Sequence, residues 1–150
     1  TPLRSGYITD ILNAFTSNNL IEFDGTTAVT RTDSHALAQL EMLGKVSHLT
    51  LQRYAITVNL IDSNQGITRA NLESENDVLA KRLGTLHGIK SPEFFDKKVL
   101  VSFVSSLKAH GFITISQQQC IEPTAQLSDL KAHLHALLPA SIWQSISDTL

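Results

Sequence analysis

The sequence predicts a mainly α-helical fold of the α+β class, a helical bundle with short β-strands and winged-helix-like units. Apolar residues recur at helical spacing between capping residues and glycines, which predicts successive amphipathic helices. Two short β-rich runs flank Asp24-Gly25, a strong hairpin signal because glycine tolerates the positive φ of the turn. The order of helix, helix, glycine and strand is typical of winged-helix architecture.

The composition suits one packed domain. Of the 150 residues, 42% are hydrophobic, which is enough for a core, and only 17% are charged. The low charged share indicates that part of the surface rests against another domain. We expect a single domain over residues 1–150, with sub-units 1–48 and 49–150 as the alternative. Because Thr1 is not an initiator Met, we also expect the chain to be part of a longer protein.

The first part of the chain is predicted to end in a buried helix. The expected elements are a helix at 6–17 capped by Ser5, strands at 20–23 and 27–31, a helix starting at Asp33 or Ser34, and an apolar helix at 49–61. The last of these is apolar on every side, which is typical of a central helix. Arg53 and Asn59 are its polar exceptions.

The second part alternates helices with turns. The expected elements are a turn at 63–66, a helix capped by Thr68 or Asn71 and ended by His87-Gly88, a helix restarting at Ser91-Pro92-Glu93 and ended by His110-Gly111, a strand at 112–115, a loop at 117–123, a helix capped by Thr124, and a last amphipathic turn or two after Pro139. The helix spacing predicts inward-facing side chains at Ile8, Ile11, Leu12, Phe15, Leu37, Leu40, Leu43, Val46, Leu72, Val78, Leu79, Leu83, Leu86, Leu100, Phe103, Val104, Leu107, Leu127, Leu130, Leu134 and Leu137. Phe94 and Phe95 are expected to belong to the core.

The residue types of catalysis and metal binding form no recognisable constellation. His133 and His135 are two positions apart, which places them on different faces of a helix. His87 and His110 each precede a helix-ending glycine, where a histidine commonly completes the last carbonyls. We therefore predict neither a zinc site nor a cofactor. Cys120 has no neighbouring base and is expected to be inert, and a single cysteine suits a reducing, cytosolic setting.

Positive charge is concentrated in one set of residues, namely Lys81, Arg82, Lys90, Lys97 and Lys98. The simplest interpretation is a solvated face, because exposed lysines are the default. The functional interpretation is contact with an anionic partner, such as a lipid headgroup, a phosphate or an acidic carrier protein. The net charge of −2 disfavours a nucleic-acid surface.

Several stretches of the second part carry a resemblance to a known family. They read TLQRYAI at 50–56, LAKRL at 79–83, LHGIKSPEFFDK at 86–97, SLK at 106–108 and GFI at 111–113. Their order and spacing resemble the carboxyl region of the bacterial membrane-associated glycerol-3-phosphate acyltransferases. The resemblance implies a parent enzyme that transfers a fatty acyl group from acyl carrier protein or coenzyme A to sn-glycerol 3-phosphate. It also implies a peripheral position at the cytoplasmic face of the inner membrane, at the start of phospholipid synthesis.

The catalytic signature of that family does not occur in this chain. The signature is a His followed by four residues and an Asp, in which the His is the general base and the Asp orients it. Five positions after the six histidines stand Leu40, Arg53, Pro92, Ile115, Leu138 and Ala140. The resemblance therefore implies a non-catalytic C-terminal domain whose partner is the acyltransferase domain of the same chain.

The alternative is a winged-helix module that binds DNA or another protein. In that hypothesis the helix beginning near Pro92 reads DNA, and the strand after Gly111 starts the wing.

Overall fold

The computed structural model describes residues 5–149 and confirms the mainly α-helical class with short strands. The helices are α1 (Ser5–Ser17), α2 (Ser34–Ser63), α3 (Arg69–His87), α4 (Lys97–Ala109), α5 (Ala125–Leu137) and α6 (Ala140–Ser147). The strands are β1 (Ile21–Phe23), β2 (Ala28–Thr30), β3 (Ile67–Thr68), β4 (Ile113–Ile115) and β5 (Cys120–Pro123), and Pro92–Phe95 form a 3-10 helix. The chain divides between Ser47 and His48 into two compact units, unit 1 and unit 2.

The hairpin of unit 1 forms as its turn chemistry predicts. Strands β1 and β2 pair antiparallel, with Ile21 opposite Thr30. One carboxylate oxygen of Asp24 accepts the backbone N–H groups of Thr26 and Thr27 at 2.8 and 2.7 Å. Gly25 then supplies a φ of +95°, a conformation that costs a glycine little.

Helix α2 is one continuous helix where the sequence suggests a boundary near residue 48. It begins as predicted, because the Asp33 carboxylate accepts the backbone N–H of Ala36 at 2.9 Å. Gly44 is accommodated inside the helix, at the modest cost in propensity that a glycine carries. The helix contributes its first part to unit 1 and its second part to unit 2.

Unit 1 buries little apolar surface. Of its described side chains, only Leu20, Ile21 and Ala36 are buried. The predicted inward-facing stripes are therefore wrong at several positions, where the side chains are exposed: Ile8, Ile11, Leu37, Leu43 and Val46. Unit 1 consists of one helix, a two-stranded hairpin and part of a second helix. These elements are too few to cover the apolar stripes of both α1 and α2.

Unit 2 is built around a small antiparallel sheet in the order β3-β5-β4. Ile121 of the central strand pairs with Ile67 on one side and Ile115 on the other. In chain order the elements of this unit are α2, β3, α3, α4, β4 and β5, and a tight turn joins the last two strands. This order, with β5 in the middle of the sheet, is the winged-helix arrangement that the sequence suggests. The predicted loop at 117–123 is wrong in its second half, because β5 lies there. Pairing on both edges outweighs its weak strand propensity.

The core of unit 2 lies around the second part of α2, as predicted for its apolar stretch. Ile56, Leu60 and Ile61 are fully buried, and they pack with inward residues of α3, α4, β4, β5, α5 and α6. The inward prediction is wrong at three positions that are exposed: Val78, Leu86 and Leu137. On α3, the buried Asn76 takes a position on the inward face, and Val78 lies beside that face. Leu86 and Leu137 lie at helix ends, beyond the core.

The link between α3 and α4 differs from the prediction in one respect. Gly88 ends α3 in the left-handed region at φ +63°, as expected. Helix α4 does not restart at Ser91-Pro92-Glu93, because residues 92–95 form the short 3-10 helix that turns Phe94 into the core. Asp96 is the cap instead, and its carboxylate accepts the backbone N–H of Lys98 at 2.9 Å.

Candidate functional site

The five basic residues predicted to meet an anionic partner are all exposed on unit 2. Lys81 and Arg82 lie on α3, Lys90 lies in the link after Gly88, and Lys97 and Lys98 open α4. Their placement follows from the Gly88 cap and the Asp96 cap, which bring the end of one helix near the start of the next.

Lys81 is paired with the carboxylate of Asp77, and the charge of Lys97 acts on the same carboxylate from farther away. The Lys81 ammonium lies 2.7 Å from a carboxylate oxygen of Asp77, one helical turn earlier. This hydrogen bond is the main reason why the pKa of Asp77 is lowered, and the charges of Lys81, Lys97 and Arg53 add to it while partial burial opposes it. Asp77 therefore offsets part of the positive charge that the sequence suggests here.

Arg82 lines a shallow groove of about 450 Å³ beside the second half of α3. Its remaining walls are Lys81, Thr85, Leu86, Asp148 and Thr149. Lys90 and Lys98 do not line this groove, and neither takes part in the ion pairs found within residues 5–149. Of the five residues, Lys81 and Arg82 thus line one groove, and the charges of Lys81 and Lys97 both act on Asp77.

A buried polar cluster lies behind Asp77, and sequence analysis recognised only one of its members. Arg53 is 4% exposed, and its guanidinium donates to the backbone carbonyl of Asn76 at 3.3 Å. The Asn76 amide donates to the hydroxyl of Thr57 at 2.8 Å, and that hydroxyl donates to the Arg53 carbonyl. The ring of Phe94 lies 5.8 Å from the guanidinium carbon, within the range of a cation–π contact.

The buried cluster is incompletely satisfied. Arg53 Nε, Asn76 Oδ1 and Gln52 Oε1 are buried without a hydrogen-bond partner among the described residues. Burial lowers the pKa of the Arg53 guanidinium, and the negative charge of Asp77 opposes that shift. The cluster joins α2 to α3 in the core of unit 2. Its signal in the sequence was a pair of polar residues, Gln52-Arg53, in an otherwise apolar helix.

The histidines and the cysteine show contacts of a structural kind. His110 Nδ1 lies 2.8 Å from the backbone carbonyl of Ser106, as expected for a residue that completes the end of α4. His87 Nε2 lies 3.1 Å from the Ser145 hydroxyl. Cys120 is half-buried in β5 and forms no disulfide. Across residues 5–149, no group of three His, Cys, Asp or Glu side chains is arranged to hold a metal ion.

The family is decided by a match that extends over both units. The model of the glycerol-3-phosphate acyltransferase C-terminal region matches residues 5–116. The chain belongs to this family. The match also includes unit 1, although all the motifs that carry the resemblance lie at residues 50–115, outside that unit. No solved structure matches the chain.

Curated relatives of the chain carry the name glycerol-3-phosphate acyltransferase. The relative from Pseudoalteromonas translucida (strain TAC 125) is 53% identical over 146 residues, which are 97% of this chain and 18% of that protein. The relative from Shewanella denitrificans is 34% identical over 143 residues, 95% of this chain and 17% of the relative. The relative from Shewanella sp. (strain MR-4) is 35% identical over 140 residues, which are 93% of this chain and 16% of that protein. The chain thus spans less than a fifth of the length of these relatives.

No helix within residues 5–149 is both long enough and apolar enough to cross a bilayer.

Proposed function

We propose that this chain is the non-catalytic C-terminal domain of a glycerol-3-phosphate 1-O-acyltransferase. The whole polypeptide would transfer a fatty acyl group from acyl carrier protein or coenzyme A to sn-glycerol 3-phosphate in phospholipid synthesis. The observation that carries the proposal is the match along 93 to 97% of this chain to less than a fifth of proteins with that name. Catalysis is assigned to the remainder, because the expected His and Asp pair has no counterpart in this sequence.

The test compares the whole polypeptide with the 150-residue chain in one acyl-transfer assay. Incorporation of labelled glycerol 3-phosphate into lipid is measured with an acyl thioester and membrane vesicles. We expect turnover by the whole polypeptide and none by the chain alone. Turnover by the chain alone would overturn the non-catalytic assignment. If the whole polypeptide is folded but inactive, the proposal that it transfers acyl groups to glycerol 3-phosphate is wrong.

Within this function we assign an anionic partner, either the membrane surface or acyl carrier protein, to five basic residues: Lys81, Arg82, Lys90, Lys97 and Lys98. Lys97 and Lys98 carry most of the assignment, because both are exposed and neither takes part in the ion pairs of the described residues, whereas Lys81 forms a salt bridge with Asp77. If the partner is the membrane surface, the protein would lie at the cytoplasmic face of the inner membrane as a peripheral domain. Exposed lysines attract such a surface through long-range charge and lose that attraction in salt.

Charge reversal separates the two partners. Lys97→Glu with Lys98→Glu in the whole polypeptide should raise the KM for acyl carrier protein thioesters, or reduce sedimentation with anionic vesicles. Lys45→Glu is the matched control, because Lys45 is an exposed helix lysine of unit 1. If the double variant and the control behave alike in both assays, these lysines form only a solvated face.

The sheet order of unit 2 favours DNA binding as the second candidate. In that arrangement α4 would read the duplex, and the turn at residues 116–119 would be the tip of the wing. A duplex of random sequence, titrated by fluorescence anisotropy between about 50 and 200 mM salt, tests this. Tight, salt-sensitive binding would favour it over the first proposal, whereas the net charge of −2 leads us to expect none.

A further inference from the structure

Unit 1 presents an apolar groove between its two helices. The groove has a volume of about 560 Å³ and is lined by Ala14, Phe15, Asn18, Leu20, Gln39, Met42 and Leu43. Its walls carry no charged side chain, and its two polar members are amides. We call this surface the α1–α2 groove.

Apolar side chains continue the groove along both helices. On α1, Ile8 and Ile11 extend the row that ends in Phe15, at spacings of three and four residues, and they are 52% and 38% exposed. On α2, Val46 extends the row of Met42 and Leu43 and is 78% exposed. Met42 itself is 69% exposed. Such a row of large apolar side chains, side by side in water, marks a surface that is normally covered.

The composition of the groove selects a protein partner over a lipid surface. Amphipathic helices that bind anionic membranes carry lysine or arginine along their polar face. Helix α1 has no basic residue and carries Asp10, and on the unit 1 part of α2 the one lysine, Lys45, pairs with Glu41 at 3.1 Å. Arg31, the other described Lys or Arg of unit 1, pairs with Asp33 at 3.1 Å. The described part of unit 1 therefore shows no unpaired lysine or arginine that would hold an amphipathic helix on anionic lipid.

The length of the relatives suggests a source for that protein partner. This chain covers 16 to 18% of their length, so more than four fifths of each relative lies outside the region compared. A partner on the same polypeptide is present at high effective concentration, which favours it over a second molecule. Unit 1 belongs to the same family region as unit 2, although it buries only three of its described side chains.

We propose that the α1–α2 groove is the docking surface for the acyltransferase domain of the same polypeptide. The proposal rests on the proposed function and adds the residues that carry the contact. Unit 1 completes its apolar core only when that domain covers Ile11, Phe15, Met42 and Leu43. The occupant is a folded domain of the same chain, rather than a second copy or a membrane.

Met42 provides the experiment, because it is the single methionine of this sequence. Oxidation of an exposed methionine by dilute peroxide is fast, and burial slows it. The fraction of Met42 sulfoxide is followed by peptide mass spectrometry in the 150-residue chain and in the whole polypeptide. We expect oxidation to be at least about tenfold slower in the whole polypeptide, because the groove is covered there. Equal rates would overturn the proposal.

Two variants of the whole polypeptide make the test specific. Leu43→Glu places a charge in the groove and should return the Met42 oxidation rate to that of the chain alone. Leu137→Glu is the matched control, because Leu137 is an exposed leucine on a helix of unit 2 and is 60% exposed. It should leave Met42 protected. Restored oxidation in both variants, or in neither, would contradict docking at the groove.

Other occupants give different results. Protection of the chain alone that grows with its concentration would identify a second copy, and protection that requires vesicles would identify a membrane. Either result overturns the proposal. Acyl transfer is measured on the same preparations, so an active polypeptide with an unprotected Met42 rejects the docking surface and leaves the proposed function intact. An inactive polypeptide with a protected Met42 rejects the proposed function instead.

Discussion

Gly84 on α3 and Phe95 in the link to α4 are fitted closely to each other. A Cβ atom on residue 84 would lie 2.7 Å from Cζ of the Phe95 ring and 3.0 Å from its Cε1. The sequence predicts that both Phe94 and Phe95 are core residues, and in the structure the two side chains differ in burial. Phe94 is 2% exposed, whereas Phe95 is half-buried and packs edge-on against it with ring centroids 5.2 Å apart.

Gly84→Ala is expected to destabilise unit 2 by about 1 to 2 kcal/mol, because overpacking exceeds the gain in helix propensity. In a Phe95→Ala background the clash is gone, and the same change should stabilise the protein by up to about 1 kcal/mol. Urea denaturation of the four proteins gives the coupling energy. Additive effects would show that the ring moves aside at no cost.

The two aromatic residues should also differ in stability. Phe94→Ala is expected to cost about 3 to 5 kcal/mol, the range for a fully buried aromatic, and Phe95→Ala is expected to cost less. The midpoint of urea unfolding distinguishes them. Equal losses would mean that the exposed part of the Phe95 ring contributes as much as a buried one.

The Asp77 carboxylate makes part of the stability depend on pH. Its pKa is lowered in the folded protein, chiefly by the hydrogen bond from Lys81, so its contribution is fully present above the ordinary value of 3.8. That contribution is lost as pH falls through the lowered value. Asp77→Asn should therefore reduce the fall in Tm between neutral pH and about pH 3, and Lys81→Met should reduce it similarly. An unchanged fall in both variants would contradict the pairing.

At the scale of single elements, helix caps decide where α4 begins. Asp96→Ala removes the carboxylate that accepts the Lys98 N–H and is expected to cost about 1 kcal/mol. Ser91→Ala should cost much less, because the Ser91 hydroxyl makes no capping hydrogen bond and donates to the Glu93 side chain instead. Thermal unfolding of both variants tests this. A larger loss of stability from Ser91→Ala than from Asp96→Ala would indicate that the helix starts at Ser91-Pro92-Glu93, as the sequence predicts.

Local signals in the sequence were sufficient for most of the elements. The caps at Asp33, Thr68 and Gly88 were predicted because each acts on residues within one turn. Strand β5 was missed although it forms a hairpin with β4, because its own residues have weak strand propensity and its second partner, Ile67 of β3, is distant in sequence. The same reason hid the polar cluster, since Arg53 stood out in its helix while its neighbour Asn76 belongs to another helix.

The sequence names the residues of the candidate surfaces but not their arrangement in space. A count of basic residues did not show that Asp77 pairs with Lys81, because the pairing depends on the helix that brings the two side chains together. The apolar stripes of unit 1 were recognised from their spacing, but spacing alone does not tell a core face from a docking face. Only the exposure of Met42 and Val46 makes that distinction.

At the scale of the whole molecule, the two units should differ in local stability. Unit 1 has three buried side chains among its described residues, whereas α2 alone gives unit 2 a fully buried row that includes Ile56 and Leu60. We expect amides of α1 and the hairpin to exchange with solvent at least about a hundredfold faster than those of residues 55–61. Hydrogen exchange with mass spectrometry on the 150-residue chain measures this. Uniform protection would contradict it.

The stacked pair of His135 and Trp143 provides a fluorescence signal that comes from unit 2 alone. Trp143 is the single tryptophan of the sequence, is 5% exposed, and lies with its ring 3.7 Å from that of His135. Its fluorescence therefore reports the packing of α5 on α6 and is silent about unit 1. Circular dichroism sums the helices of both units. The separation between denaturation curves recorded by the two signals measures how far the units unfold as one.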